Sequence, residues 1–350
     1  MSRRLRGIPR TISAPVRMSI ENPVRVGDLL DAKYRIESLV GQGGMGAVYR
    51  ATHLHTTRTV AIKVIRPHLT SRPEFVERFR REAEAAGRLR HPNVVDVTDF
   101  GFAAIDHGQV AYLVMEYLDG CTLSDILAEE PRLPVSWTVD ILAQVASALD
   151  EAHRQGIVHR DLKPENIWLE PNRRGGYTVK VLDFGLVKLG HLADPSGESS
   201  GLAPLSAGAP DKGRATSQDP TEGETVFVPA AQADAVTISS DVLTQFGSVT
   251  GTPTYMSPEQ CRGDEVDGRS DIYSLGVIAY RLLAGEPPFT GDAARVMRQH
   301  LTQDPAPLRT RARHVPRGVA RVIASALAKE PADRTSRAGG FASALRAAAV

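Results

Sequence analysis

Residues 270–285 read SDIYSLGVIAYRLLAG, a helical stretch that is apolar nearly all round. A helix of that kind needs protein on every side, so it dictates a domain large enough to surround it. Gly285, with Pro287 and Pro288 behind it, is a normal helix stop. The chain has 350 residues, 42% of them hydrophobic, enough for a large core and two lobes.

The first part of the chain has a different texture. YRIESLVGQGGMGAVYRATH, from Tyr34, predicts strand, Gly-rich turn and strand, and RTVAIKVIR, from Arg58, predicts a third strand rich in β-branched residues. Pro73 to Leu89 predicts one helix, with Phe75, Phe79, Ala86 and Leu89 on one stripe and Glu82 within it. A carboxylate on a buried face is costly unless a cation meets it. Lys63 is the candidate. After YLVMEYLDG the pattern turns helical, and Pro134 to His153 carries Ile141, Leu142, Val145, Leu149 and Ala152 on one side. The fold class is therefore α+β: a small sheet-rich lobe over 27–118 and a larger, mainly helical lobe over 119–350.

Three features stand outside those lobes. Residues 1–26 form a basic, disordered tail, with Arg3, Arg4, Arg6, Arg10 and Arg17, and without the apolar centre of a secretion signal. Translation could start at Met1 or at Met18. Residues 190–244 are rich in Ser, Gly, Ala, Pro and Asp without a sustained period, which predicts a disordered insertion. The insertion is a tolerated loop, a docking site or a substrate of the protein itself.

The stretch GQGGMGAVYR, Gly41 to Arg50, fits G-x-G-x-x-G, a pattern shared by dinucleotide sites, ATP covers and plain turns. A dinucleotide site wants a helix next and an acidic residue about 20 positions on. Here a strand follows, and Lys63 occupies that neighbourhood. A P-loop wants Lys-Ser/Thr after the last glycine, which is absent.

GQGGMGAV, VAIK, HRDLKPEN, DFG and SPE occur in that order. In this the chain resembles the bacterial eukaryotic-type (Hanks-type) Ser/Thr protein kinases, over about residues 27–345 apart from the insertion. The resemblance implies a bilobal protein-kinase fold and ATP with magnesium as cofactors, manganese being an alternative. It implies that Asp161 orients the attacking hydroxyl, that Lys163 neutralises the transferring phosphoryl, and that Lys63, aligned by Glu82, meets the α- and β-phosphates. Asn166 and Asp183 would hold the metal. Val40, Gly41, Gly43, Gly44, Gly46, Val48, Ala61, Lys63, Met115, Glu116, Leu118 and Trp168 would contact the nucleotide. Trp168 departs from the small aliphatic residue that the family usually has there, and stacking on adenine is the expected consequence. Glu259 and Arg334 would form a buried ion pair, Asp271 would cap the central helix and hold the catalytic loop, and His159 and Phe184 would join a packed spine. Arg160 before Asp161 implies control by phosphorylation, with Thr244, Ser248 and Thr250 as candidate sites. Lys163 and Thr252 suit Ser/Thr rather than tyrosine substrates.

The partners implied are protein substrates bearing Ser or Thr, and the chain itself by autophosphorylation; a homodimer is left open. A formal charge of +1 gives no pull toward nucleic acid, and no run of about 18 apolar residues marks a membrane segment. Two cysteines, Cys121 and Cys261, suit a reducing cytoplasm, and packing is the expected role of Cys121 despite its place near the pocket edge. A nucleotide-binding scaffold without activity is the rival reading. The intact Lys63, Asp161, Asn166 and Asp183 argue against it. A small-molecule kinase is the third, and GTPTYMSPE, which shapes a peptide groove in the family, argues against that.

Overall fold

The computed structural model describes residues 24–105, 108–173, 175–184 and 253–350. The segment before residue 24, the 190–244 insertion, Gly185, Thr252 and the candidates Thr244, Ser248 and Thr250 lie outside the described residues. The first lobe is built on six antiparallel strands: β1 (Leu29–Leu30), β2 (Tyr34–Gln42), β3 (Gly46–His53), β4 (Thr59–Ile65), β5 (Val97–Ile105) and β6 (Gly108–Glu116). Their order in the sheet is β1-β2-β3-β4-β6-β5. Between β4 and β5 come α1 (Pro67–Thr70) and α2 (Pro73–Arg88).

Side chains of a strand alternate between faces, and both faces of this sheet are covered. Val60, Ile62 and Val64 of β4 join Val110, Tyr112 and Val114 of β6 on one face. On the other, Ile65, Ala111, Leu113 and Met115 meet Phe75, Phe79 and Ala83 of α2. Lys63 shares the α2 side, because residues 61, 63 and 65 point the same way. The α2 stripe is shorter than the sequence predicts: Leu89 is the residue that ends the helix, and it packs into the core of the other lobe. The lobe also begins before Gly27. Val24 is only 3% exposed, and the Tyr49 hydroxyl donates to its carbonyl at 3.1 Å, so residues 24–26 are not a free tail.

The second lobe carries α3 (Leu123–Glu129), α4 (Val135–Arg154), α5 (Pro258–Arg262), α6 (Gly268–Ala284), α7 (Ala293–Thr302), α8 (Leu308–Arg311), α9 (Arg317–Ala326) and α10 (Ala338–Ala348). A small sheet, β7 (Cys121–Thr122), β8 (Ile167–Pro171) and β9 (Tyr177–Val181), lies within it. Strands of two to five residues are too short to show a period, which is why the sequence reads as helical there. Helix α6 is the central one: from Ser270 to Ala284 every residue but Arg281 is buried. Its cap is Asp267, whose side chain accepts from Arg269 N–H, and Gly285 closes it at φ 91. Asp271, expected to cap it, sits one turn in and faces the other way. Both cysteines are free and buried, and burial pushes their thiols up to about 11 at Cys121 and about 12 at Cys261, which makes them packing residues.

Glu259 and Arg334 lie far apart in the chain and pair end to end, at 2.7 and 2.8 Å. The Arg334 side chain is 0% exposed and its partner 4%. All the guanidinium donors are used, since Ala328, Arg269 and Lys329 carbonyls take the remaining N–H groups. Burial works to raise the Glu259 pKa, and the Arg334 charge and the Ser270 hydroxyl outweigh it, holding the carboxyl below its ordinary range. A depressed folded pKa gives stability that is present above the unfolded pKa and is lost as pH falls through the folded one. Arg334→Met should therefore cost about 3–5 kcal/mol at neutral pH, because it strands a buried carboxylate. The stranded group has a raised pKa instead, so the variant gains relative stability on acidification and the gap narrows. Urea unfolding of both proteins at pH 7 and near pH 5 checks the size and the sign.

Candidate active site

Three strands place the cleft. Gly41 of β2 pairs with Val48 of β3, and Val48 with Lys63 of β4, so the Gly-rich turn stands two strands from the lysine. The turn closes by Gly43 N–H to the Gly46 carbonyl at 2.8 Å, and Arg66 holds it from outside through the Gly43 carbonyl at 3.1 Å. Its glycines are not alike. A Cβ on Gly46 would come to 2.0 Å from the Val64 carbonyl oxygen, so that glycine is demanded by packing between strands. A Cβ on Gly41 or Gly43 would meet nothing within 4 Å. The fold leaves room there that a bound phosphate could use.

Below the turn, Ala61 pairs with Met115, and Met115 also faces Val97. Met115 is buried, Val48, Ala61, Glu116 and Leu118 are half-buried, and Val40 and Gly44 are exposed. Glu116 is tied down: its backbone N–H donates to the Asp96 carbonyl at 2.9 Å, and its carboxylate takes Lys180 at 2.6 Å and the Asp96 N–H at 2.8 Å. Trp168 is half-buried on β8, with its indole N–H fixed on the Asp119 carbonyl at 2.8 Å.

The acid–base groups sit on one loop, and a single carboxylate holds that loop. Asp271, 1% exposed, accepts the backbone N–H groups of His159 and Arg160, both at 2.9 Å, and the His153 Nε2 at 2.7 Å. Arg160 takes φ 68, a left-handed conformation that a non-glycine residue adopts only when its surroundings insist. From the next residue, the Asp161 carboxylate pairs with Lys163 at 2.7 Å. Asn166 donates to the Asp161 carbonyl at 2.8 Å, which leaves its amide oxygen as an acceptor. Asp183, also left-handed at φ 57, meets Lys63 at 2.9 Å. Its side chain is 32% exposed. Burial opposes its charge, and the Lys63 charge and hydrogen bond, with His159 and Lys163, outweigh that and hold the carboxyl below its ordinary range. Beside it the Phe184 ring meets His159 edge to face at 4.8 Å, and His159 bonds the Leu182 carbonyl at 2.9 Å.

One expected pair is replaced. Among the ion pairs of the described residues, that of Lys63 is with Asp183, and Lys63–Glu82 is not one of them. The one ammonium serves the carboxylate whose charge burial penalises. Glu82 is half-buried on α2. The donor set suits a hard cation shared with phosphate. Asp183 and Asn166 bring a carboxylate and an amide oxygen, and no group of three or more His, Cys, Asp or Glu able to hold a metal exists among the described residues. Two contacts escaped the sequence altogether: Gln260 donates to the Arg160 carbonyl at 2.6 Å, and His153 binds Asp271. Each joins residues about a hundred positions apart, and no local pattern reports them.

The protein kinase domain family matches this chain over residues 34–199 and 234–346. The chain belongs to the protein kinase family. Its kinase domain is of the bacterial Ser/Thr type. It is 41% identical over 326 residues to the Serine/threonine-protein kinase pkn3 of Myxococcus xanthus, covering 92% of this chain and 51% of that protein. It is 37% identical over 306 residues to the Serine/threonine-protein kinase PknB of Mycobacterium tuberculosis, covering 87% of this chain and 41% of that one. The chain thus spans about half the length of these curated relatives. The crystal structure of the Mycobacterium tuberculosis PknI kinase domain superposes with TM-score 0.63 at 27% identity, covering 93% of this chain and 100% of the other. No helix among the described residues of this kinase domain is long and apolar enough to cross a membrane.

The two kinds of glycine give a direct check. Gly46→Ala should lower stability by about 1–3 kcal/mol, since backbone must move to admit the methyl. Gly41→Ala should leave the unfolding midpoint almost unchanged and raise the KM for ATP. Denaturant unfolding and ATP titration of both variants read the two effects separately.

Proposed function

We propose that this protein transfers the γ-phosphoryl of ATP to Ser or Thr hydroxyls of proteins. The observation that carries the reading is the hydrogen-bonded set Asp161–Lys163–Asn166 facing the pair Lys63–Asp183, assembled from two lobes. Asp161 accepts the proton of the attacking hydroxyl and aims its oxygen. Lys163, already paired with that carboxylate, spreads positive charge over the group in flight. Lys63 binds the inner phosphates, and Glu82 on α2 is the carboxylate we assign to align it in the nucleotide-bound state. Asp183 and Asn166 would hold magnesium, which when bound neutralises phosphate charge as the bond to the leaving oxygen breaks. Two hard oxygen donors suit magnesium, with manganese as the alternative that shares this preference.

The Gly41–Gly46 turn, with Val40 and Val48, would cover the phosphates, while Ala61, Met115, Glu116 and Leu118 frame the base and Trp168 lies under it. Protein substrates, rather than small molecules, are favoured by the segment from Pro253 to Arg262 that borders the catalytic loop. Autophosphorylation on Thr244, Ser248 or Thr250, sensed by Arg160, is the switch that accompanies this reading. Two free, buried cysteines suit a cytoplasmic location.

Labelled phosphate transfer tests the core of it. With ATP and magnesium, the parent should label itself and an added protein, and Asp161→Asn should lose at least about a hundredfold in rate while still binding ATP. Mass spectrometry should place phosphate on Ser or Thr. A parent that binds ATP and transfers nothing would turn the protein into a scaffold.

A further inference from the structure

Below the active site lies a buried polar pair that phosphoryl transfer as described does not use. His300, on α7, is 0% exposed. Its Nδ1 is 2.9 Å from the Tyr273 hydroxyl of α6, and its Nε2 is 3.1 Å from the backbone carbonyl of Thr254. A carbonyl only accepts, so Nε2 carries the proton, Nδ1 is the acceptor, and the Tyr273 hydroxyl donates to it. The ring is also boxed by aromatic edges, with Phe289 at 4.9 Å and Tyr273 at 5.6 Å between centroids. Burial first, and then the Lys329 ammonium, hold its pKa down to about 3, so the imidazole stays neutral and the tautomer persists across the working pH range.

What this ring grips is the short turn Pro253–Tyr255. The turn is held a second time by α6, where the Ser274 hydroxyl donates to the Tyr255 carbonyl at 2.7 Å. Its next residue, Met256, packs on the buried pair of Cys261 in α5 and Met297 in α7. The same stretch of chain continues into α5, whose Gln260 donates to the Arg160 carbonyl, one residue before Asp161. Tyr255 also feels Glu165 of the catalytic loop: burial, and then that carboxylate, push its hydroxyl up to about 12. A protein hydroxyl arriving at Asp161 therefore has this turn as a neighbouring wall, and α7 sets where the wall stands.

We propose that His300 is a positioning residue for the protein substrate: its Nε2–H on the Thr254 carbonyl holds the Pro253–Met256 segment at the height the acceptor hydroxyl requires. The inference rests on the kinase reading above. It separates the two substrates, because ATP is framed by the Gly-rich turn and the strands, and the acceptor by the segment that His300 holds. A residue that served only to fill the core would lower stability and depress both substrates' constants alike.

The test uses the full chain with labelled ATP, magnesium and dephosphorylated casein as the acceptor. His300→Leu keeps the volume and removes the donor. It should raise the KM for casein about five- to tenfold, the size of one net hydrogen bond, with the KM for ATP within about twofold of the parent. His300→Gln, whose amide N–H can reach the same carbonyl, should restore most of the casein KM. An unchanged casein KM in His300→Leu, or a His300→Gln protein as impaired as His300→Leu, overturns the inference. If His300→Leu does not fold, Tyr273→Phe decides: removing only the hydroxyl that orients the ring should raise the casein KM about two- to fivefold, and a parental value overturns the inference. A parent that labels neither itself nor casein contradicts the kinase reading, whereas a fully active parent with unmoved variants contradicts the role of His300 alone.

Discussion

The candidate catalytic loop of this domain hangs on one buried carboxylate, that of Asp271. Asp271 projects from the first turn of the buried helix α6 and accepts two consecutive backbone N–H groups, those of His159 and Arg160. Those bonds make a left-handed Arg160 tolerable, and the resulting bend delivers Asp161 to the cleft. A carboxylate with charge-assisted bonds from two amides and an imidazole is expensive to disturb. Helix α6 is thus both the core of the lobe and the anchor of the catalytic loop. Its apolar circumference serves the first task and a single acid among the buried residues serves the second.

The second organising constraint is charge. Lys63 stands on the sheet face that α2 and the cleft share, and its ion pair is with Asp183. Burial penalises the Asp183 charge, and the Lys63 ammonium at 2.9 Å offsets that penalty.

The remaining buried polar groups around the cleft work as fasteners. Gln260 with Arg160 and His300 with Thr254 both hold backbone from below, in a region where α5, α6 and α7 converge. Each meets the requirement that a buried donor or acceptor have its partner, and each reaches a loop rather than a regular element. Loops supply no ladder of their own, so side chains from rigid helices must define their height.

Local chemistry was readable in the residue order. Periodicity marked α2 and α4, an all-round apolar run marked α6, and Gly285 marked its stop, because helix faces and caps are set by residues close in the chain. The ordered motifs pointed to the family that the comparisons bear out. The α2 stripe ran one residue too far because Leu89 belongs by pattern to the helix and by packing to the other lobe. Strands β7, β8 and β9 were too short for a period to appear. What the tertiary structure alone decided was partnership: that Lys63 meets Asp183, that Gln260 reaches the Arg160 carbonyl, and that His300 holds Thr254. These pairs join residues that are neighbours only after folding, and which of several acids or carbonyls a buried donor finds is set by burial and distance.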